Sequence, residues 1–302
     1  MPTVSPVDDV RVPDDVTNLG AMRVLITGAG GMLGSDVRQA AEDAGLVTIP
    51  LTRAALDICD EAAVVRAVSA ARPDVVINCA AWTAVDAAET HAEEADAINR
   101  AGAGHVAAAA AAVDAWTIHV STDYVFDGRS SRPYVESDPV APASVYGETK
   151  LAGERSVACA APGRHTIVRT SWLFGLHGPC FPRTIQRLAT ERNELRVVED
   201  QIGCPTFTGH LATALVGLAQ QPRAGILHVT GSGACSWYTF AKAIVAASGL
   251  TCDVVPIGTD QYPTPAQRPA FSVLGSERGA PLLPDWELGL QTFVSKNMGV
   301  TA

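Results

Sequence analysis

Two side chains of this sequence have the chemistry needed to hand a proton to a carbonyl oxygen. Tyr146 and Lys150 stand four residues apart in Tyr146-Gly-Glu-Thr-Lys150, so on a helix they share one face. A lysine cation beside a phenol favours the phenolate and lowers the tyrosine pKa toward neutrality. The chain has only three lysines, at 150, 242 and 296. Arginine supplies nearly all the remaining positive charge, so Lys150 stands out. Thr122 lies just beyond the apolar run TIHVS. Its hydroxyl is placed to hydrogen-bond a substrate carbonyl and hold it near Tyr146. A threonine that merely closes a strand is the plain alternative. Tyr-x-x-x-Lys alone is a common spacing, and its weight comes from its setting.

That setting begins with a glycine-rich turn. Gly28-Ala-Gly-Gly31-Met-Leu-Gly34 follows the apolar strand RVLIT and opens a helix. Gly28 permits a tight turn, Gly31 lets the backbone approach a pyrophosphate, and Gly34 allows close packing of helix on sheet. Met32 and Leu33 complete the turn as further cofactor-site residues. The helix N-terminus then faces the phosphates. The second strand ends Leu51-Thr52-Arg53. An NAD site usually carries an acid there for the ribose 2′-hydroxyl, whereas an arginine suits a 2′-phosphate. Arg53 therefore favours NADPH, with NADH as the alternative. Asp57 and Ile58 are placed to flank the adenine.

These residues need a scaffold, and the chain alternates strand and helix signals from Arg23 onward. Strands are expected at 23–27, 47–51, 74–79, 117–121 and 166–170. Helices are expected at 33–44, 62–71, 93–112 and 145–160. Short apolar strands between amphipathic helices imply βαβ units and a parallel sheet buried on both faces. Right-handed crossovers make it an α/β, doubly wound Rossmann domain, with ligands at the carboxyl ends of the strands. The Rossmann domain is expected over 22–174. After Thr170, prolines at 179, 182, 205, 222, 263, 265 and 269 break the pattern. A smaller, interleaved substrate-binding lobe is expected from 175–224 and 255–299. A strand at 226–229 and a helix at 238–248 are expected to return to the main sheet. Residues 1–21 are rich in Pro and Asp, with no apolar face, and read as a disordered extension. Translation from Met22 is the alternative.

The formal net charge is −10, which disfavours nucleic acid and anionic lipid as partners. No stretch of 18 apolar residues is present for a membrane span. The seven cysteines, 59, 79, 159, 180, 204, 235 and 252, include no Cys-x-x-Cys pair. They read as reduced thiols of a cytoplasmic protein.

The sequence resembles the extended short-chain dehydrogenase/reductases. Within them it is similar to the dTDP-4-dehydrorhamnose reductase family. The stretches that carry the resemblance are MRVLITGAGGMLG, VVINCAAWTAVDAAE, IHVSTDYVFDG, VYGETKLAGE, VRTSWLFG, DQIGCPT and RPAFSVL. The resemblance implies hydride transfer from NADPH to C4 of a 4-keto sugar, with Tyr146 protonating the oxygen. It implies that Lys150 bonds the nicotinamide ribose and tunes Tyr146, and that Thr122 orients the carbonyl. Ala80, Ala81 and Trp82 would line the cofactor and Asn99 would support the site. Asp123, Tyr124 and Trp172 fall where the family contacts sugar and nucleotide, although Trp172 reads equally well as core. Gln201 and Arg268 are further substrate candidates. Arg268 suits a diphosphate because so acidic a chain must supply a local cation.

Related activities separate by residue type. Sugar-nucleotide 4,6-dehydratases carry Asp-Glu after the threonine, whereas here Asp123 is followed by Tyr124. GDP-fucose synthases place a cysteine near the catalytic hydroxyl, and no cysteine lies between Cys79 and Cys159. Some family members dimerise through a magnesium ion held by glutamates. Here Asp36 and His210 stand at the relevant stretches, so no structural metal is expected and both monomer and homodimer stay open. Two other outcomes also remain. One is a reductase for another dTDP-L-deoxysugar, such as dTDP-dihydrostreptose in antibiotic biosynthesis. The other is a non-catalytic, cofactor-binding regulatory subunit.

Overall fold

Six short β-branched or apolar segments pair into one all-parallel sheet. In this computed structural model, which describes residues 20–298, they are β1 (Arg23–Thr27), β2 (Val47–Leu51), β3 (Val75–Asn78), β4 (Trp116–Thr122), β5 (His165–Thr170) and β6 (Gly225–His228). The expected N-terminal extension lies, for residues 1–19, outside the described residues. The sheet order is β6-β5-β4-β3-β1-β2. Thr27 pairs with Leu51 on one side and Asn78 on the other, and Thr122 pairs with Thr170. The tips of five neighbouring strands thus end at one edge.

Side chains alternate between the two faces, as the pleat requires. Val24 and Ile26 of β1 point to one face. There they meet Leu33 and Val37 of helix α1 (Met32–Asp43). Leu25 points to the other, against Val64 and Val68 of α2 (Glu61–Ala71) and Val106 of α3 (Ala103–Ala112). Further along that second face, Val157 of α4 (Val145–Ala160) packs on Ile167 of β5. Both faces are therefore covered, which is why the strands read as continuous apolar runs.

A second lobe has its own core. Phe174, Ile185, Leu195 and Val197 pack with Phe207, Phe240, Ile244 and Phe293. It is built from α5 (Phe181–Glu191), α7 (Trp237–Ala247), α8 (Trp286–Met298) and a parallel strand pair, Glu194–Val198 with Asp253–Ile257.

Three expectations change. Helix α6 (Thr208–Gln220), read as part of the lobe, lies under the main sheet, where Leu211, Leu215 and Leu218 join the β1 and β3 side chains. Helix α7, read as returning to the main sheet, instead gives Phe240 and Ile244 to the lobe core. Apolar periodicity shows that a helix buries a face, not which sheet it covers. The expected single helix over 93–112 is interrupted. Ala92–Asp96 is followed by a π-helical turn, Ala97–Gly102, before α3. That wide turn lies against α4, whose Gly153 passes so close that a β-carbon there would collide with the Asn99 carbonyl. No helix among the described residues is long and apolar enough to cross a membrane.

Candidate active site

The glycine-rich turn connects β1 to α1 at the sheet edge. Gly28 has φ 66°, and a β-carbon on it would lie 2.7 Å from the backbone nitrogen of Ala80 at the tip of β3. At Gly34 a β-carbon would strike the Gly28 carbonyl. Gly31 caps α1 with no side-chain hydrogen bond, and the first turn holds no acid. Its backbone N–H groups are thus open to an anion. In front of it lies a cleft of about 450 Å³. Of the expected cofactor residues, Gly28, Gly31, Arg53, Asp57, Ile58, Ala80 and Ala81 line it. Met32, Leu33 and Gly34 lie just behind, in the first turn of α1. Arg53 is exposed and makes no hydrogen bond or ion pair among the described residues.

The cleft also takes Leu56, Cys79 and Ile98, which the sequence reading did not single out. Each adjoins a residue that the sequence does single out: Leu56 precedes Asp57, Cys79 precedes Ala80 and Ile98 precedes Asn99. Burial pushes the Cys79 thiol up to about 12, so it lines the wall as an uncharged group.

Asn99 sits in the π-helical turn and is buried. Its Oδ1 accepts the Trp82 N–H at 2.9 Å, and its Nδ2 donates to the Trp82 carbonyl at 3.2 Å and to Thr149 Oγ1 at 3.0 Å. One side chain thereby ties the β3 loop to the helix that carries Tyr146 and Lys150. The start of that helix is held twice more. Ser144 Oγ accepts the Gly147 N–H at 3.2 Å, and Glu89 Oε1 accepts the Val145 N–H at 3.0 Å.

Tyr146 and Lys150 are both buried on the same side of α4, 9% and 2% exposed. Thr122 ends β4. Its hydroxyl accepts the Tyr124 N–H at 3.2 Å and donates to Asp123 Oδ1 at 3.0 Å. Tyr124 lies edge-on to Tyr146, with ring centroids 5.5 Å apart. One expectation changes here. Burial raises Tyr146 to about 12, opposed by the Thr122 hydroxyl beside it and reinforced by the Asp123 carboxylate. Lys150 Nζ instead donates to the Val120 carbonyl at 2.7 Å, and burial lowers its pKa to about 8. Desolvation of the phenol outweighs any pull from the ammonium in this arrangement.

The substrate candidates separate into two groups. Asp123 and Arg268 gather around Tyr124, which itself lies against Tyr146. Asp123 is 1% exposed, its Oδ2 has no partner among the described residues, and burial raises its pKa to about 6. Burial also pushes the Tyr124 phenol up, while the nearby Arg268 pulls it down. Arg268 Nη2 donates to Asp86 Oδ2 at 2.7 Å. In the second group, Trp172 starts the second lobe with φ 47° and stacks on Trp237. Gln201 Nε2 donates to Thr259 Oγ1 at 3.0 Å, so its amide holds the lobe together.

Among the described residues no group of three or more His, Cys, Asp or Glu side chains is arranged to hold a metal ion. Asp36 instead faces His177, 3.4 Å away, and His210 packs edge-on to Phe207.

A glycine cradle at β1, a buried Tyr–Lys pair on α4 and a threonine at the tip of β4 define a short-chain dehydrogenase/reductase of the extended type. A family model described as "RmlD substrate binding domain" matches residues 22–298. The chain is 44% identical over 292 residues to a dTDP-4-dehydrorhamnose reductase of Mycolicibacterium smegmatis, covering 93% of this chain and 88% of that one. It is 40% identical over 265 residues to a dTDP-4-keto-6-deoxy-D-glucose reductase of Streptomyces niveus, covering 87% and 92%. A crystal structure of dTDP-4-dehydrorhamnose reductase from Bacillus anthracis in complex with NADP superposes with a TM-score of 0.89 at 37% identity, covering 92% of this chain and all of that one. The chain belongs to the dTDP-4-dehydrorhamnose reductase family.

Proposed function

We propose that this protein is an NADPH-dependent reductase of the C4 ketone of dTDP-4-dehydrorhamnose, giving dTDP-L-rhamnose. The observation that carries this reading is the convergence of Thr122, Tyr146 and Lys150 beside the glycine cradle. The cradle fits a dinucleotide, because β-carbons at Gly28 and Gly34 would meet backbone atoms around the turn and the α1 N-terminus is uncapped. Gly28, Gly31, Met32, Leu33 and Gly34 would hold the pyrophosphate, and Arg53, Asp57 and Ile58 the adenosine end. Ala80, Ala81, Trp82 and Asn99 would line the path toward the reacting end. When bound, the reduced nicotinamide supplies the hydride.

The remaining chemistry belongs to the chain. Thr122 donates a hydrogen bond to the ketone oxygen and sets its distance from Tyr146. The Tyr146 hydroxyl delivers a proton to that oxygen as negative charge develops. A phenol held at about 12 keeps its proton until an alkoxide forms. The Lys150 ammonium, buried nearby, would stabilise the phenolate left behind and would be the group that holds the nicotinamide ribose. Asp123, Tyr124, Trp172, Gln201 and Arg268 form the sugar-nucleotide side, with Arg268 toward the diphosphate.

A second reading keeps the chemistry and changes the sugar. The Streptomyces niveus relative is named for a different 4-keto substrate, so another dTDP-deoxysugar, including dTDP-dihydrostreptose, is the alternative. A regulatory cofactor-binding role needs only the glycine turn, and the complete Thr–Tyr–Lys set argues for catalysis. The test is to mix the protein with NADPH and dTDP-4-dehydrorhamnose, follow absorbance of the reduced cofactor and identify the product by NMR. Oxidation yielding dTDP-L-rhamnose is expected. Absence of oxidation at saturation would overturn the reading. Tyr146→Phe should abolish turnover and leave NADPH binding intact.

A further inference from the structure

One acid near the site is not explained by the cofactor cradle or the proton-transfer set. Asp86 lies on the short helix Val85–Ala88, just beyond Trp82. Both of its carboxylate oxygens reach across the fold to a single segment. Oδ1 accepts the Ala266 N–H at 3.2 Å, and Oδ2 accepts from Arg268 Nη2 at 2.7 Å.

That segment spans the two lobes. At its start, Thr259 is fastened to the lobe by hydrogen bonds to Asp200 and from Gln201. At its end, the Ile202 N–H donates to the Ala270 carbonyl at 2.8 Å and the Phe271 N–H donates to the Gly128 carbonyl at 3.0 Å. Between these anchors, Asp86 pins both the backbone and the guanidinium. Arg268 is 18% exposed at its side chain, and its Nη1 is buried with no hydrogen-bond partner among the described residues. A buried guanidinium N–H left unpaired is costly, so it is a ready donor to an incoming oxygen.

We infer that Asp86 is a positioning residue that grips one arm of the Arg268 guanidinium and presents the other to the diphosphate of the nucleotide sugar. The inference rests on the substrate reading above for the ligand class, and on the Asp86–Arg268–Ala266 geometry for the device. Asp86 touches no reacting atom. Its effect is to hold a flexible cation in one rotamer and to fix the segment that carries it near Tyr124. Loss of a charge-assisted hydrogen bond of this kind is expected to change affinity by roughly 10- to 150-fold.

The experiment uses the full chain with dTDP as probe, read by calorimetry, alongside turnover. Asp86→Asn should weaken dTDP binding and raise the KM for the keto sugar about 10-fold or more. NADPH affinity and kcat should stay within a few-fold of wild type. Asp86→Glu should recover part of the loss. Arg268→Gln, in which Asp86 keeps its bond from Ala266, should lose dTDP affinity to a similar degree. Unchanged dTDP binding in Asp86→Asn, or an equal loss of NADPH affinity, would overturn the inference. So would tighter dTDP binding, because Asp86 would then compete for Arg268. If Asp86→Asn does not fold, Arg268→Gln alone decides, and unchanged dTDP binding there refutes the device. Absence of turnover in wild type that still binds dTDP would refute the proposed substrate and leave this inference to its own measurement.

Discussion

The indole of Trp172 lies flat on that of Trp237, with ring centroids 3.5 Å apart and planes 6° apart. The backbone of Trp172 is left-handed, which a bulky residue adopts only when its surroundings hold it there. Trp237 holds one side. On the other, a β-carbon at Gly203 would strike the Trp172 indole. Gly203→Ala should therefore displace Trp172 from the substrate side. The expected result is a higher KM for the sugar nucleotide, unchanged NADPH affinity, and a stability loss of about 1–3 kcal/mol from overpacking. Steady-state kinetics with thermal melts checks it.

Asp123 should set an acid limb in the pH profile. Its folded pKa is raised from 3.8 to about 6. The folded protein thus holds this proton more tightly than the unfolded chain, and its contribution to stability falls as pH rises from 3.8 through 6. An inflection near pH 6 in kcat/KM is expected, and Asp123→Asn should remove it. A persistent inflection in the variant would assign it to another group.

Lys150 gives the opposite sign. Its folded pKa is lowered from 10.5 to about 8. The burial penalty is present in full below pH 8 and fades as pH rises to 10.5. Lys150→Met should therefore melt at a higher temperature than wild type at pH 7, with the gap closing toward pH 10.5. Turnover should be lost. Melting curves across that range, with activity at pH 7, test both halves.

Behind the site, Glu154 and Arg169 form a buried ion pair. Arg169 Nη2 donates to Glu154 Oε2 at 2.7 Å and Nε to Oε1 at 2.9 Å, with both side chains 3% exposed. Ser121 Oγ adds a 2.6 Å hydrogen bond to the same carboxylate. Removing one charge strands the other in the core, so Glu154→Ala should cost about 3–5 kcal/mol. The double variant Glu154→Leu with Arg169→Met should cost less than the sum of the two single changes. Urea unfolding of the four proteins measures the coupling.

Much of this candidate site is legible because its signals are local. Gly28-x-x-Gly31-x-x-Gly34 and Tyr146-x-x-x-Lys150 act through residues a turn apart, where spacing alone sets geometry. The tips of β1, β3 and β4 followed from apolar runs ending in polar residues. Contacts over long separations were not legible. Asp86 carries no local signal, because its partners are Ala266 and Arg268, some 180 residues away. Likewise Trp237 gains meaning only from its stack on Trp172.

The sequence by itself determined the alternation of buried strands and amphipathic helices, the glycine-rich turn, and the residue types of the proposed Thr–Tyr–Lys set. Each depends on backbone preference or short-range periodicity. Tertiary structure alone decided which sheet α6 and α7 cover, because an apolar stripe does not name its partner. It decided that the Ala-rich helix opens into a π turn at Asn99. It also decided the direction in which the Tyr146, Lys150 and Asp123 pKa values move, since desolvation depends on everything packed around a side chain and not on its neighbours in the chain.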